Sequence, residues 1–247
     1  PNHAPTAYIR PWRRFKSGWG DAGIICPYHM HKAYGDIRII ERFWPQMEAF
    51  MDFYARHADS NHIFPEASFF QSGSGDWLAV GQRTAPDMLS TFYYGYCAGL
   101  MAEMASATGK EDRASYYGDL AEKIRKGFMD HYGDGQGRLK CDSAAYGDGR
   151  RYVGGELGFS GNTQTAYANA IYLDFLSDPD RDKAGEELVD LIRKSGGKLT
   201  TGFLGVKQLL PALSETGHTE LAYDLLLQTE YPSWGFEVVN GATTMWE

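Results

Sequence analysis

Three cysteines in 247 residues, Cys26, Cys97 and Cys141, are odd in number, far apart and in no metal-ligand spacing. That excludes a disulfide framework and a thiolate metal centre, and the three read as buried or incidental thiols. No run of about eighteen apolar residues occurs, so the sequence offers no helix to span a bilayer. Positive charge is also in short supply. The 24 Lys and Arg are outnumbered by 32 Asp and Glu, for a net charge of −8. This argues against nucleic acid or an anionic membrane as principal partner, because both require basic surface. Strict apolar/polar alternation is scarce, so little sheet is expected. His29, His31, His57, His62, His131 and His218 do not fall at helical spacing with a third ligand, and neither a metal nor another cofactor is expected. The chain opens on Pro1-Asn2-His3 without a signal-like segment and stops on Glu247. Both ends read as cut, and no compartment is assigned.

What the sequence has in abundance is aromatic side chains, 14% of the total, with 16 Tyr and 6 Trp. An aromatic excess suits a concave site that stacks flat, weakly polar ligands such as sugars. The remaining pattern is helical. Asp21 is placed to cap a helix over 22–34, with Pro27 confined to its first turns. A second, amphipathic helix follows Gly35-Asp36 and runs to about His57. Its apolar positions are Ile37, Ile40, Phe43, Met47, Phe50, Met51 and Tyr54, and Pro45 is expected to kink or break it. Pro86-Asp87 opens a third, with Met88, Leu89, Phe92, Tyr93, Tyr96 and Leu100 on its apolar side. Further helices are expected over 111–131, 163–176, 181–194, 203–215 and 219–229.

Thr108-Gly109-Lys110 is echoed by Thr216-Gly217-His218, and more weakly by Tyr34-Gly35-Asp36. Each ends a helix at glycine and sends a second helix back, an αα-hairpin used repeatedly. About eight helices in four antiparallel pairs, with long loops between pairs, describe most of an all-α (α/α)6 toroid. Such a ring closes with six pairs, so this one is expected to be incomplete, as one domain over 1–247.

The polar-aromatic loops stand just before helix pairs: Gly18-Trp19-Gly20-Asp21, Gly75-Asp76-Trp77, Gly161-Asn162-Thr163-Gln164-Thr165 and Thr201-Gly202-Phe203. The terminal stretch from Tyr231 to Glu247 completes the set. In a ring of hairpins such loops converge on one mouth, gathering Trp19, Trp77, Trp234 and Trp246 with Asp21, Asp76 and Glu247. Indole faces stack on sugar C–H bonds and carboxylates grip hydroxyls, so these residues form a candidate sugar pocket. Asp21 and Asp76 can equally serve as N-caps alone, since capping asks only for their position. The terminal aromatics can equally fill a gap in the core.

Several of these motifs together resemble the α-L-rhamnosidases of glycoside hydrolase family 78. They are Gly18-Trp19-Gly20-Asp21-Ala22 with Pro27 and Tyr34-Gly35-Asp36, Gly75-Asp76-Trp77-Leu78-Ala79, Thr163-Gln164-Thr165-Ala166, and Thr201-Gly202-Phe203-Leu204-Gly205. Tyr231-Pro232-Ser233-Trp234-Gly235 and Thr243-Thr244-Met245-Trp246-Glu247 follow in order. The resemblance covers essentially the whole chain and is most specific at its last two motifs. It implies a six-hairpin domain that removes terminal α-L-rhamnose with inversion of configuration. Glu247 would be the general base, and Trp19 and Trp77 would line the sugar pocket.

The family's general acid is a glutamate in an Asp-rich, Arg-containing motif that has no match in residues 1–247. The resemblance therefore implies that the acid and the flanking barrel helices lie outside this chain, and that the chain alone is inactive. The expected partner is a carbohydrate, with no nucleic acid and no membrane. Two other readings stay open. One is an α/α-toroid glycosidase or lyase acting on uronic acids, which would need Arg and Lys at the loop motifs, where there are almost none. The other is a non-catalytic sugar-binding helical domain.

Overall fold

The computed structural model describes residues 17–64, 75–140 and 159–246. It is helical almost throughout, and two compact units can be distinguished. One comprises residues up to 74 and 86–131, the other 75–85 and 132–247.

The first unit holds α1 (Ala22–Tyr34), α2 (Arg38–His57), α3 (Pro86–Ala107) and nearly all of α4 (Glu111–Tyr132). The inward face of α2 is Ile40, Trp44, Met47, Phe50, Met51 and Tyr54, three- and four-residue steps that place them on one stripe. Burying each contributes about 1.5–3 kcal/mol. Trp44 takes the place in this stripe expected for Phe43, which is exposed. Its ring meets Tyr117 of α4 edge-on at 6.3 Å. Pro45 does not end α2, and Pro27 sits at the sixth position of α1, within its first two turns. Both helices continue, each without the one backbone bond that proline cannot donate.

Helix α3 does not have the single apolar face expected of it. Ser90, Thr91, Tyr94, Gly95 and Cys97 are buried along with the expected Met88, Leu89, Phe92, Tyr93 and Leu100. From Pro86 to Met101 it is buried around most of its circumference, as suits a helix apolar nearly all round, whereas Glu103 and Ser106 are exposed.

The second unit holds α5 (Gln164–Tyr172), α6 (Asp178–Lys194), α7 (Phe203–Glu215), α8 (Thr219–Leu227) and α9 (Trp234–Val239). A short parallel pair joins β1 (Arg83–Thr84) to β2 (Phe159–Ser160), in the register Arg83 with Phe159 and Thr84 with Ser160. Helix α9 lies in the terminal stretch, which the sequence offered as a polar-aromatic loop. Ser233 makes it possible, its hydroxyl accepting from Phe236 N–H at 3.0 Å, a standard N-cap bond. Gly235 lets the helix approach residue 228, since a Cβ there would stand 2.1 Å from the Gln228 carbonyl oxygen.

The hairpin device recognised from the sequence is built alike in both units. Gly109 and Gly217 are left-handed, at φ of 70° and 81°. Lys110 N–H reaches Ala105 O at 2.9 Å and His218 N–H reaches Leu213 O at 2.7 Å. Thr108 and Thr216 each donate a hydroxyl to the carbonyl four residues back, both at 2.8 Å. These are Schellman-type ends, in which glycine supplies the conformation a Cβ would resist.

Candidate functional site

The two glycine-flanked aspartates picked out from the sequence are both buried, at 0% exposure for Asp21 and 1% for Asp76. They do different work.

Asp21 precedes α1 but makes no side-chain cap bond to it. Its carboxylate turns back instead. Oδ2 accepts from Gly18 N–H at 2.6 Å, which fixes the turn that carries Trp19, itself half-buried. Oδ1 accepts from the Tyr54 hydroxyl at 2.6 Å and from the Cys97 thiol at 3.5 Å. Tyr54 also shares a 3.1 Å hydrogen bond with Ser17, and its ring stacks on Tyr94 at 4.8 Å between centroids. Burial raises the Asp21 pKa above its ordinary value, against the opposing hydrogen bonds from Tyr54 and Gly18. Burial and then the neighbouring Asp21 charge push Tyr54 and Cys97 well up, so both remain protonated donors.

Asp76 acts across the second unit. Oδ2 accepts from Gly202 N–H at 3.0 Å and from the Thr165 hydroxyl, and Oδ1 accepts from Leu204 N–H at 3.1 Å. The Trp77 carbonyl takes Phe203 N–H at 3.0 Å. Three successive amides at the start of α7 are thus satisfied by one dipeptide. A helix start needs such acceptors, and its N-cap, Gly202, has no side chain to supply one. Asp76 caps it from 126 residues away in sequence. Burial raises the Asp76 pKa, against the Thr165, Gly202 and Leu204 hydrogen bonds and the charge of Arg83.

This clamp explains the motifs around it. A Cβ on Gly202 would lie 2.3 Å from the Trp77 carbonyl oxygen and 2.7 Å from Asp76 Oδ1, and one on Gly205 would lie 2.3 Å from Thr165 Oγ1. Glycine is required by close approach at both positions. In Thr163-Gln164-Thr165 every side chain has its own task. Thr163 caps α5 through Ala166 N–H at 3.1 Å and bonds Thr84 at 2.7 Å. Gln164 holds the 198–200 segment through Lys198 O at 3.0 Å and Thr200 N–H at 2.9 Å. Thr165 completes the Asp76 set. Gln164 and Thr165 begin a buried helix, which lies within the 163–176 helix expected from the sequence and ends at Tyr172.

The clamp leaves the Trp77 indole outside, 41% exposed, and Phe203 beside it in the backbone pairing, 42% exposed. Elsewhere in the same unit Trp234 heads α9 and is half-buried. Trp246, 43% exposed, donates its backbone N–H to Glu237 Oε2 at 3.2 Å and meets Phe236 edge-on at 6.5 Å. Phe236 in turn meets Tyr231 at 5.6 Å. So Asp76 and Trp77 share one structure with residues 201–205, and Trp246 is tied to the helix that Trp234 begins. Trp19 and Asp21 belong to the other unit. Glu247 lies outside the described residues. Among the described residues no group of three or more His, Cys, Asp or Glu is placed to hold a metal ion, and no helix is long and apolar enough to cross a membrane.

Thr165, Gly202 and Gly205 stand out in the sequence only as motif members. A glycine at a helix N-cap was the available signal, since a cap without a side chain needs an acceptor from elsewhere.

Comparison with known proteins places this architecture. The chain is 37% identical over 231 residues to an α-L-rhamnosidase of Streptomyces avermitilis, covering 94% of this chain and 20% of that protein. It is 30% identical over 241 residues to an α-L-rhamnosidase of an Alteromonas species, covering 94% and 24%. The crystal structure of the S. avermitilis α-L-rhamnosidase complexed with L-rhamnose superposes with a TM-score of 0.77 at 36% identity, over 94% of this chain and 20% of that one. The native α-L-rhamnosidase of Aspergillus terreus gives 0.81 at 25% identity, over 99% and 26%. The chain thus spans a fifth to a quarter of the length of these relatives. The model of the bacterial α-L-rhamnosidase six-hairpin glycosidase domain matches residues 1–247. The chain belongs to that family, and its all-α fold is of the six-hairpin glycosidase type.

Proposed function

We propose that the protein bearing these residues hydrolyses terminal α-L-rhamnose from rhamnosides, with residues 1–247 forming part of one helical catalytic domain. The observation that carries this reading is the likeness, over 94% of the chain, to an α-L-rhamnosidase solved with L-rhamnose. Exposed Trp77, supported by the clamp beneath it, supplies an indole face of the kind that stacks on a sugar ring.

The reaction is proposed to invert configuration. Glu247, ionised, takes a proton from a water molecule as that water attacks the anomeric carbon. A protonated glutamate outside this chain gives its proton to the leaving oxygen. Inversion asks for the two carboxyl groups to stand roughly 6.5–9.5 Å apart, leaving space for the water. Trp19, Trp77, Trp234 and Trp246 are proposed to contact the sugar, as are the segments carrying Asp21 and Asp76.

The test is Glu247→Gln in the full-length protein, assayed on an aryl α-L-rhamnoside. Loss of a general base lowers turnover by about 10²–10⁴-fold, and azide should then restore release of the aryl group with a β-configured sugar product. Turnover near wild type would remove Glu247 from the role. A wild-type protein with no activity on any rhamnoside would overturn the reading as a whole.

A further inference from the structure

We infer that Asp76 is a positioning residue, acting on the sugar through Trp77 rather than by touching it. The inference rests on the rhamnoside-binding reading above. Four observations carry it. The Asp76 side chain is 1% exposed, so little of it can meet a ligand. Both of its oxygens are already engaged, Oδ1 by Leu204 N–H and Oδ2 by Gly202 N–H and the Thr165 hydroxyl. The next residue in the chain, Trp77, is bound to the same helix start through its carbonyl, yet its indole stands 41% exposed. Finally, the turn that presents the indole is not one the chain adopts readily. Leu78, which follows, has φ of 64°, a left-handed conformation that costs a residue with a Cβ about 1 kcal/mol or more.

Surrounding contacts must hold such a turn, and the contacts are those of the clamp. Val80 N–H to Thr200 O at 3.0 Å closes it on the far side. Asp76 therefore converts the rigid start of α7 into a fixed height and orientation for the Trp77 ring. Thr165 belongs to the same device, one step further from the ligand. It orients a carboxylate oxygen that in turn orients the loop. Gly202 belongs to it as well, because any side chain there would meet the Trp77 carbonyl.

The test is a double-mutant cycle in the full-length protein on an aryl α-L-rhamnoside. Trp77→Ala alone removes the stacking surface and raises KM. Asp76→Asn, which presents an amide nitrogen to a backbone N–H, should raise KM by about tenfold with a smaller change in kcat, as expected for lost binding common to ground and transition state. In the Trp77→Ala background the same substitution should change KM by less than about twofold, because residues acting through one contact are not additive. Thr165→Val leaves both backbone bonds to Asp76 in place and serves if Asp76→Asn does not fold. Its smaller rise in KM should likewise vanish in the Trp77→Ala background, and Thr165→Ser should restore wild-type behaviour. Additive effects of Asp76→Asn and Trp77→Ala in an active enzyme would mean that Asp76 meets the sugar itself, and the inference would fail while the proposed function stood. Absence of rhamnosidase activity in the wild type would remove both.

Discussion

Asp21 and Asp76 sit in similar sequences, each among glycines and next to or near a tryptophan, and each is withdrawn from solvent. Their partners differ in kind. Asp21 receives one backbone N–H, from Gly18, while its other oxygen faces a hydroxyl and a thiol that can each donate or accept. Asp76 receives backbone N–H groups on both oxygens, and an amide N–H can only donate. The first site needs one acceptor at one place; the second needs two. A buried carboxylate is thus a preference at position 21 and a requirement at position 76, although the two look equivalent as letters.

The largest expected consequence is at Asp76. Asparagine differs from aspartate by one amide nitrogen, and at position 76 either orientation of the amide turns its NH₂ toward the N–H of Gly202 or of Leu204. A buried donor left without an acceptor costs about 1–3 kcal/mol, and the loss is local to the first turn of α7. Asp76→Asn in the full-length protein should lower the denaturation midpoint and speed amide exchange at residues 202 to 204. Unchanged exchange there would mean the carboxylate is not what caps this helix. Next in size is Gly202→Ala. Its Cβ would stand 2.3 Å from a backbone oxygen, and forcing extra bulk into a packed site costs about 1–3 kcal/mol. The corresponding change beside Asp21, Gly18→Ala, meets a different obstacle. Gly18 has φ of 83°, so alanine there incurs the left-handed backbone cost of about 1–2 kcal/mol, and its N–H can still reach Asp21. Denaturation midpoints that rank Gly18→Ala as the more damaging of the two would contradict the close approach at Gly202.

The helices were largely legible because their signals are local. Apolar spacing gave α2 its inward stripe, and the Thr-Gly ends of α3 and α7 marked turns whose geometry depends on one left-handed residue. Misreadings arose where a distant group decides the outcome. Trp44 replaces Phe43 in the core because α4 offers it Tyr117, and α9 forms because Ser233 caps a stretch whose composition argues against a helix. Asp21 looked like a cap by position, but Tyr54 and Cys97, 33 and 76 residues away, draw its carboxylate inward. The three motifs joined at Asp76 were each visible as letters. Their unity was not, since nothing in Gly-Asp-Trp announces that its carboxylate will meet a helix start 126 residues further on.

The smallest predicted effect, and the one that most sharpens the contrast, is at Asp21. An asparagine at position 21 can direct its oxygen to Gly18 N–H and its NH₂ to the Tyr54 hydroxyl, which can turn its own proton toward Ser17. Asp21→Asn should therefore change stability far less than Asp76→Asn at neutral pH. It should also alter the pH dependence. Burial raises the Asp21 pKa above its ordinary 3.8, so the folded state holds this proton more tightly than the unfolded state does. The stability that results is fully present below about pH 3.8, where the unfolded carboxyl is also protonated, and is lost as pH rises through the folded-state pKa. Asparagine does not titrate, so its variant lacks this decline. Melting temperatures of the two full-length proteins, followed from about pH 3.8 to neutrality, should diverge in favour of Asp21→Asn as pH rises. Parallel curves would mean that Asp21 enters the folded protein with its proton no more firmly held than in the unfolded chain, and the hydroxyl–thiol side of its site would then not favour the acid.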